Sequence, residues 1–91
     1  MNKSELIGSL AEREGLTHDE AAVYVNTVFD LMKQYLIEGK RVEIRGFGSF
    51  KVKDYKAYTG RNPRTGASVA VSPKKLPFFK PSGELLDILN D

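Results

Sequence analysis

The sequence predicts an α+β fold in which a helical body carries a three-stranded antiparallel sheet and an extended β-ribbon arm. Three observations lead to this prediction. Apolar residues recur at helical spacing up to residue 39, alternate with polar ones over residues 40–80, and return to helical spacing over residues 81–91. Because 91 residues is the length of one domain, we expect residues 1–91 to fold as a single unit.

Two sequence patterns mark the starts of the predicted helices. Asn2 is followed three residues later by Glu5, and Thr17 is followed at the same spacing by Glu20. In such a capping box, each of the two side chains accepts a hydrogen bond from the backbone N–H of the other residue. We expect the first helix to end at Gly15 and the second to run to residue 39, where a glycine again favours termination.

The second helix is apolar around most of its circumference, because it carries Val23, Tyr24, Leu31 and Ile37 in addition to its core-facing stripe. A helix of that kind needs partners on more than one side. A chain of this length buries only a little over ~60% of its unfolded surface, so a lone monomer would be marginal. We therefore expect residues 1–39 to form the helical body of a dimer, with a dimer core that contains Val25, Phe29, Met32, Phe47, Phe50 and Phe79.

An alternating pattern begins after the second helix. Val42 and Ile44 alternate with charged residues, as in a strand with one buried face. We expect a turn at residues 46–48, because two glycines flank an apolar residue there. A second strand should follow, with Phe50 and Val52 continuing the buried face.

Beyond Val52 the apolar face ends, although residues 53–58 keep aromatic side chains that favour strands. We expect the chain to leave the body here, to turn at residues 61–66 and to return through residues 68–72 as the second half of a hairpin arm. Because an isolated two-stranded ribbon is marginally stable in water, we expect the free arm to be mobile.

After the arm the sequence becomes apolar again. Pro77, Phe78 and Phe79 are expected to return to the core. Ser82 has the chemistry of an N-cap, so we expect it to begin a short C-terminal helix within residues 81–91.

Charge is segregated along the chain. Residues 40–80 hold eleven Lys and Arg against two Asp and Glu, whereas residues 1–39 and 81–91 are both net acidic. A concentration of cations in one segment indicates a footprint for nucleic acid or another polyanion. The alternative is a solvated basic face with no specific partner.

The turn at the end of the arm, residues 60–66, has the composition of a minor-groove-binding tip. It contains Arg61, Asn62, Pro63 and Arg64. Proteins that bind the minor groove commonly insert Arg or Asn and wedge an apolar side chain between base steps. A proline ring is rigid and has no N–H, so its insertion into a base stack leaves no backbone donor unpaired. Such residues are also common in ordinary turns, and their place at the end of a basic arm favours double-stranded DNA as the partner.

Two motifs carry a resemblance to a known family. They are Gly46-Phe47-Gly48-Ser49-Phe50 and Gly60-Arg61-Asn62-Pro63-Arg64-Thr65-Gly66. Together they are similar to the signature of the HU and integration host factor proteins of bacteria, and the resemblance covers essentially the whole chain. It implies an intertwined dimer with a helical body under two sheets, each extending an arm around DNA, and Pro63 as the intercalating residue.

The resemblance also implies which residues bind DNA. Lys3 matches a basic position on the flank of the family's DNA-binding surface, and the residues at the arm tip match the family's tip. The expected DNA-binding residues are Lys3, Arg45, Gly46, Lys51, Lys53, Tyr55, Lys56, Tyr58, Arg61, Asn62, Pro63, Arg64, Lys74, Lys75 and Lys80.

Residues 43–45, Glu-Ile-Arg, are similar to the β subunit of integration host factor. There the arginine enters the minor groove and the glutamate orients it, which would favour some sequence preference. The alternative for so short a motif is a cross-strand ion pair, which is worth little at a surface.

The chain departs from the family pattern at four positions. The family usually has arginine where this chain has Tyr55 and Tyr58, often lysine where it has Gly83, and commonly a basic residue where it has Leu86. Fewer cations predict weaker phosphate neutralisation and a shallower salt dependence of binding, which Lys51 and Lys56 offset in part.

Other functional classes are disfavoured by the residues present. The only histidine, His18, lies in a predicted helix cap, and the chain has no cysteine. We therefore expect no enzymatic activity, no metal site, no cofactor and no small-molecule substrate. The chain also has no apolar run long enough to cross a membrane, and we expect a cytoplasmic, nucleoid-associated protein.

Two alternatives stay open at this point. One is a dimer that binds RNA or polyanions in general without bending DNA, and the other is a structural dimer whose arms bind protein. The sequence leaves open whether the dimer is a homodimer or a heterodimer with a paralogous subunit. It also leaves open whether binding depends on DNA sequence or only on DNA shape.

Overall fold

A computed structural model describes all 91 residues, and the chain contains three helices and five strands. Their order is α1 (Lys3–Glu14), α2 (His18–Ile37), β1 (Val42–Ile44), β2 (Gly48–Tyr55), β3 (Tyr58–Arg61), β4 (Ser68–Val71), β5 (Lys74–Pro81) and α3 (Gly83–Leu89). Strands β1, β2 and β5 form a three-stranded antiparallel sheet in the order β1-β2-β5, and β3 and β4 form a separate two-stranded ribbon. The α+β fold class predicted from the sequence is confirmed.

The helix boundaries follow from capping chemistry. Thr17 and Glu20 form both hydrogen bonds of the capping box, whereas Asn2 accepts the hydrogen bond from the Glu5 N–H at 2.8 Å without a reciprocal one. Gly15 ends α1 in the left-handed conformation at φ 65°, where glycine carries no Cβ penalty. Helix α2 ends at Ile37, and Gly39 terminates it in a Schellman motif at φ 77°. The Gly39 N–H donates to the Leu36 carbonyl oxygen at 3.0 Å, and the Lys40 N–H donates to the Tyr35 carbonyl oxygen at 2.8 Å.

The core within a single chain is small. Only Ile7, Ala21 and Val25 are buried apolar residues, and they lie where α1 packs on α2. The Cα radius of gyration is 19.1 Å, against about 12 Å for a compact chain of this length. The arm extends the molecule to 60 Å along its longest axis.

The pairing of β2 with β5 gives the sheet two chemically different faces. Phe50 is directly opposite Phe79, and Val52 is directly opposite Pro77, so these residues share the face that lies towards α2. Their neighbours in sequence point the other way, because side chains alternate along a strand. We refer to this second face, which carries Lys51, Lys53, Tyr55, Lys74, Leu76, Phe78 and Lys80, as the outer face.

One sequence-based expectation about this region was wrong. Phe78 does not return to the core with Phe79, because adjacent residues of one strand cannot share a face, and it lies on the outer face. The ladder between β2 and β5 continues past Val52 to the pair Tyr55 and Lys74. Backbone pairing therefore extends three residues beyond the last apolar side chain of β2.

Candidate nucleic-acid interface

The outer face of the sheet gathers cations from two strands that are far apart in sequence. Lys51 and Lys53 come from β2, and Lys74 and Lys80 come from β5. The antiparallel register brings all four to one surface, with Lys53 half-buried and the others exposed. This arrangement creates a positive surface whose charges are held by a hydrogen-bonded ladder.

Lys75 lies apart from that group. It is directly opposite Asp54 on the face towards α2, and it lines a cavity of about 360 Å³ together with Leu36 and Ile37 at the end of that helix. Alternation along β5 accounts for this, because Lys74 and Lys75 must point to opposite faces. Lys75 is therefore separated by the sheet from the outer-face lysines.

The arm also has two distinct faces. Tyr58 and Gly60 are directly opposite Val71 and Val69, so this face is apolar. A Cβ atom at Gly60 would lie 3.5 Å from the Tyr58 ring, which shows that the ring packs along the strand. The opposite face carries Arg61, which is exposed and paired with Ser68.

The tip of the arm is a closed, hydrogen-bonded turn. The Asn62 N–H donates to the Ala67 carbonyl oxygen at 2.9 Å, and the Gly66 N–H donates to the Asn62 carbonyl oxygen at 2.7 Å. The Asn62 side-chain oxygen accepts the Arg64 N–H at 2.9 Å, which spans the intervening Pro63. Gly66 has φ 72°, a conformation that glycine adopts at little cost. The Pro63 ring is thus held exposed between the two arginines of the tip.

Arg45 and Gly46 lie at the turn between β1 and β2, beside a cleft of about 510 Å³ that also involves Arg41 and Lys80. Gly46 has φ 80°, and the turn is fixed by the Ser82 N–H, which donates to the Phe47 carbonyl oxygen at 2.9 Å. Arg45 is exposed and forms no ion pair.

Glu43 does not orient Arg45 in this structure. Its carboxylate lies 3.4 Å from the guanidinium of Arg41, the residue immediately before β1. This exposed pair joins neighbours along the chain and is not the cross-strand ion pair that the sequence left open as the alternative.

The remaining predicted residues fall outside these groups. Lys3 is in the first turn of α1 and lines a cavity of about 340 Å³ with Asp30 and Lys33 of α2. Lys56 is exposed in the two-residue break between β2 and β3. The predicted cationic residues therefore lie at the flank of the helices, on both faces of the sheet, at the cleft beside Arg45 and along the chain that leads to the arm tip.

The sequence-based interpretation missed two members of the outer face and one of the cleft. Leu76 and Phe78 are exposed by 47% and 38% and lie among the outer-face lysines. Arg41 lines the cleft beside Arg45. Alternation along β5 places Phe78 on the face opposite Phe79. The sequence-based interpretation instead placed both consecutive aromatic residues in the core.

The site offers no catalytic arrangement. The structure has no cluster of three or more His, Cys, Asp or Glu residues that could hold a metal ion. No helix is both long and apolar enough to cross a membrane. The exposed side chains of the outer face and the arm tip are mainly cationic.

Comparison with protein families gives a match over nearly the entire chain. The family described as "Bacterial DNA-binding protein" matches residues 1–90. The SPbeta prophage-derived DNA-binding protein HU 2 of Bacillus subtilis is 44% identical over 87 residues, which covers 96% of this chain and 95% of the relative. The DNA-binding protein HU-1 of Halalkalibacterium halodurans is 42% identical over 87 residues, covering 96% of this chain and 97% of the relative.

Solved structures of HU proteins are also similar to this chain. The chain is similar to HU in an Anabaena HU–DNA cocrystal structure, with a TM-score of 0.84 and 28% identity, over 98% of this chain and 97% of that one. It is also similar to HU from Thermotoga maritima, with a TM-score of 0.67 and 26% identity, over 98% of each chain.

Proposed function

The chain belongs to the HU family of bacterial DNA-binding proteins, a family of architectural proteins without enzymatic activity, and on that premise we propose that it bends duplex DNA. In this proposal two copies of the chain grip the minor groove with their arms, and each inserts Pro63 between base pairs. The observation that carries the proposal is the exposed proline, held between Arg61 and Arg64 at the end of a ribbon that projects from the body.

The hydrogen bonds of the tip support this role for Pro63. Unstacking one base step costs a few kcal/mol, which the bent duplex offsets by contacting more basic surface. A wedge that was itself disordered would add the entropy of ordering to that cost. The Arg64 N–H donates to the Asn62 side-chain oxygen, and the Asn62 N–H donates to the Ala67 carbonyl oxygen, so the turn is closed in the absence of DNA.

The unburied apolar surface supports a dimer. Phe29, Phe47 and Phe79 are exposed by 39%, 46% and 38% in the single chain. Fully burying a large apolar side chain is worth about 1.5–3 kcal/mol relative to leaving it exposed. We propose that a second copy covers these residues and Met32, either as a homodimer or as a heterodimer with a paralogous subunit.

A dimer would place two outer faces and two arms on one duplex. The arms would bind the minor groove through Arg61, Asn62 and Arg64, and the lysines of the outer face would neutralise phosphates between them. We expect the protein to be associated with the nucleoid in the cytoplasm. We also propose that Arg45 lies near the edge of the minor groove. Because Glu43 pairs with Arg41, the Arg45 guanidinium is available to bind DNA.

The experiment that tests the proposal is a comparison of two proline variants. A duplex labelled with a donor and an acceptor fluorophore at its ends reports bending as a rise in energy transfer. Pro63→Ala is expected to retain binding and lose most of the bend. Pro73→Ala is the matched control, because this proline lies between β4 and β5, away from the tip, and it should bend DNA like the wild type. Equal bending by all three proteins would overturn the proposal.

A second candidate is binding of RNA or other polyanions without bending. The observation that favours it is the Tyr58 ring, which is 62% exposed on the apolar face of the arm, since exposed aromatic rings stack on unpaired bases. Competition among equal lengths of intact duplex DNA, kinked or nicked DNA and single-stranded RNA separates the two candidates. Preference for kinked DNA supports the first, and indifference among the three supports the second.

A further inference from the structure

Phe78 is an exposed aromatic residue in the middle of a cationic surface. It lies on the outer face, directly opposite Lys51, and Lys80 follows on the same strand and the same face. It cannot join the aromatic cluster of the opposite face, in which Phe79 packs against Phe47 and Phe50 with ring centroids 5.4 and 4.8 Å apart. The ring therefore has no role in the core of the chain.

The ring instead holds one particular lysine. The Lys53 ammonium nitrogen is 3.5 Å from the Phe78 ring centroid, in the geometry of a cation–π contact. Lys53 lies on β2 two pairs further along the ladder, opposite Leu76 and on the same face as Lys51, so the contact is diagonal across the two strands. Lys51, although directly opposite Phe78, makes no such contact. Lys53 also forms no ion pair with a carboxylate.

We propose that Phe78 is a positioning residue for Lys53, and that it fixes the ammonium where it binds a DNA phosphate. This inference rests on the proposed DNA-binding function. A free lysine side chain loses rotamer freedom when it is ordered against a phosphate. A lysine whose ammonium group already lies over an aromatic ring has lost part of that freedom before binding, so binding costs less.

The contact leaves the charge available to DNA. An ammonium group has three N–H donors, and a ring on one side leaves the donors on the other side free for a phosphate oxygen. The ring attracts the cation through its quadrupole without neutralising it, unlike a carboxylate. Phe78 therefore orders Lys53 without reducing the positive potential of the outer face, whereas an acidic residue at the same position would cancel it.

A double-mutant cycle on DNA affinity tests this inference. Phe78→Leu keeps apolar bulk but removes the ring, and it is expected to weaken binding about threefold. Phe78→Tyr keeps an aromatic face and should bind like the wild type. In a Lys53→Ala background, Phe78→Leu should cause no additional loss, because the residue through which it acts is gone.

Lys51→Ala is the matched background, since Lys51 faces Phe78 without lying over its ring. There the threefold loss from Phe78→Leu should persist in full. The inference is overturned if Phe78→Leu has no effect, if its effect is the same in the Lys53→Ala and Lys51→Ala backgrounds, or if Phe78→Tyr is as weak as Phe78→Leu. Thermal melting of each variant confirms that it is folded.

The cycle is read independently of bending. If the chain binds duplex DNA but leaves it straight, the proposed bending function fails, yet the affinities still decide whether Phe78 acts through Lys53. If the chain bends DNA but the cycle shows no coupling between Phe78 and Lys53, the inference about Phe78 is wrong and the proposed bending function stands.

Discussion

Gly48 lies directly against Phe79. A Cβ atom built on Gly48 would be 2.6 Å from the ring atom Cε1 of Phe79 and 2.6 Å from the carbonyl oxygen of Lys80, closer than real Cβ atoms approach either. Gly48 is also the most buried position of the sheet. The absence of a side chain at this position lets the Phe79 ring pack across β2 onto Phe47 and Phe50.

Gly48→Ala should therefore destabilise the protein. The added methyl group meets backbone as well as the ring, so the strand must shift, at a cost of about 1–3 kcal/mol in the free energy of unfolding. Denaturant unfolding followed by circular dichroism measures it. Gly8→Ala is the control, because nothing lies within 4 Å of its Cβ position in α1, and alanine there should stabilise the helix by about 0.5–1 kcal/mol. Equal stability of Gly48→Ala and the wild type would contradict this packing.

The proposed dimer makes stability depend on concentration. Phe29 lines an entirely apolar cavity of about 200 Å³ on the open side of α1 and α2, with Leu10 and Val28 among its other residues. We expect the melting temperature to rise with protein concentration, since association stabilises the folded state. Phe29→Ala should lower stability by about 3–5 kcal/mol and shift the sedimentation mass towards one chain.

Tyr58→Ala is the control for that experiment. Tyr58 is also exposed, but it lies on the arm, so its loss should change neither the mass nor the melting temperature. A wild-type sedimentation mass of one chain, with melting independent of concentration, would rule out the dimer.

The tyrosines of the arm should make DNA binding less sensitive to salt. Because log K falls by about 0.9 per log unit of salt for each phosphate contact, Tyr55→Arg and Tyr58→Arg should each steepen the slope where the new cation reaches a phosphate. Fluorescence anisotropy titrations at several salt concentrations give the slope. Tyr35→Arg adds the same charge on α2 and should leave the slope nearly unchanged. A common slope for all variants would show that residues 55 and 58 lie away from phosphates.

The capping box at Thr17 should contribute a pH-dependent part of the stability. The hydrogen bond from the Thr17 backbone N–H, and secondarily the Thr17 hydroxyl, lower the pKa of the Glu20 carboxyl in the folded state. A carboxyl with a lowered folded-state pKa stabilises the protein above its unfolded-state pKa, and that stabilisation is lost as the pH falls through the folded-state value. Glu20→Gln should remove this pH-dependent stabilisation. Denaturant unfolding curves recorded across the acidic pH range measure it, and Asp19→Asn is the control variant. A pH profile unchanged by Glu20→Gln would contradict it.

Local patterns predicted the elements of the fold well. The caps at Thr17 and Ser82, the helix end at Gly15 and the closed turn near Pro63 depend on residues close in sequence, and these were predicted correctly. The end of the paired sheet depends on backbone hydrogen bonds, which carry no side-chain signature. The aromatic residues at 55 and 58 favoured a strand beyond Val52, but they did not indicate at which residue the ladder between β2 and β5 ends.

The candidate site was harder to predict than the fold. Which lysines share a surface depends on the register of β2 and β5. The family resemblance therefore grouped Lys75 with Lys74, although they point to opposite faces. The contact between Lys53 and Phe78 joins residues 25 positions apart, diagonally across a ladder. No local pattern predicts such a pair, because it depends on a pairing that only the folded sheet defines.

The most direct test of the central claim is the end-to-end distance of a duplex as the purified chain is added. We predict that energy transfer between fluorophores at the two ends rises and reaches its plateau at two chains per duplex. A duplex that is saturated with protein but keeps the end-to-end distance of free DNA would contradict the account.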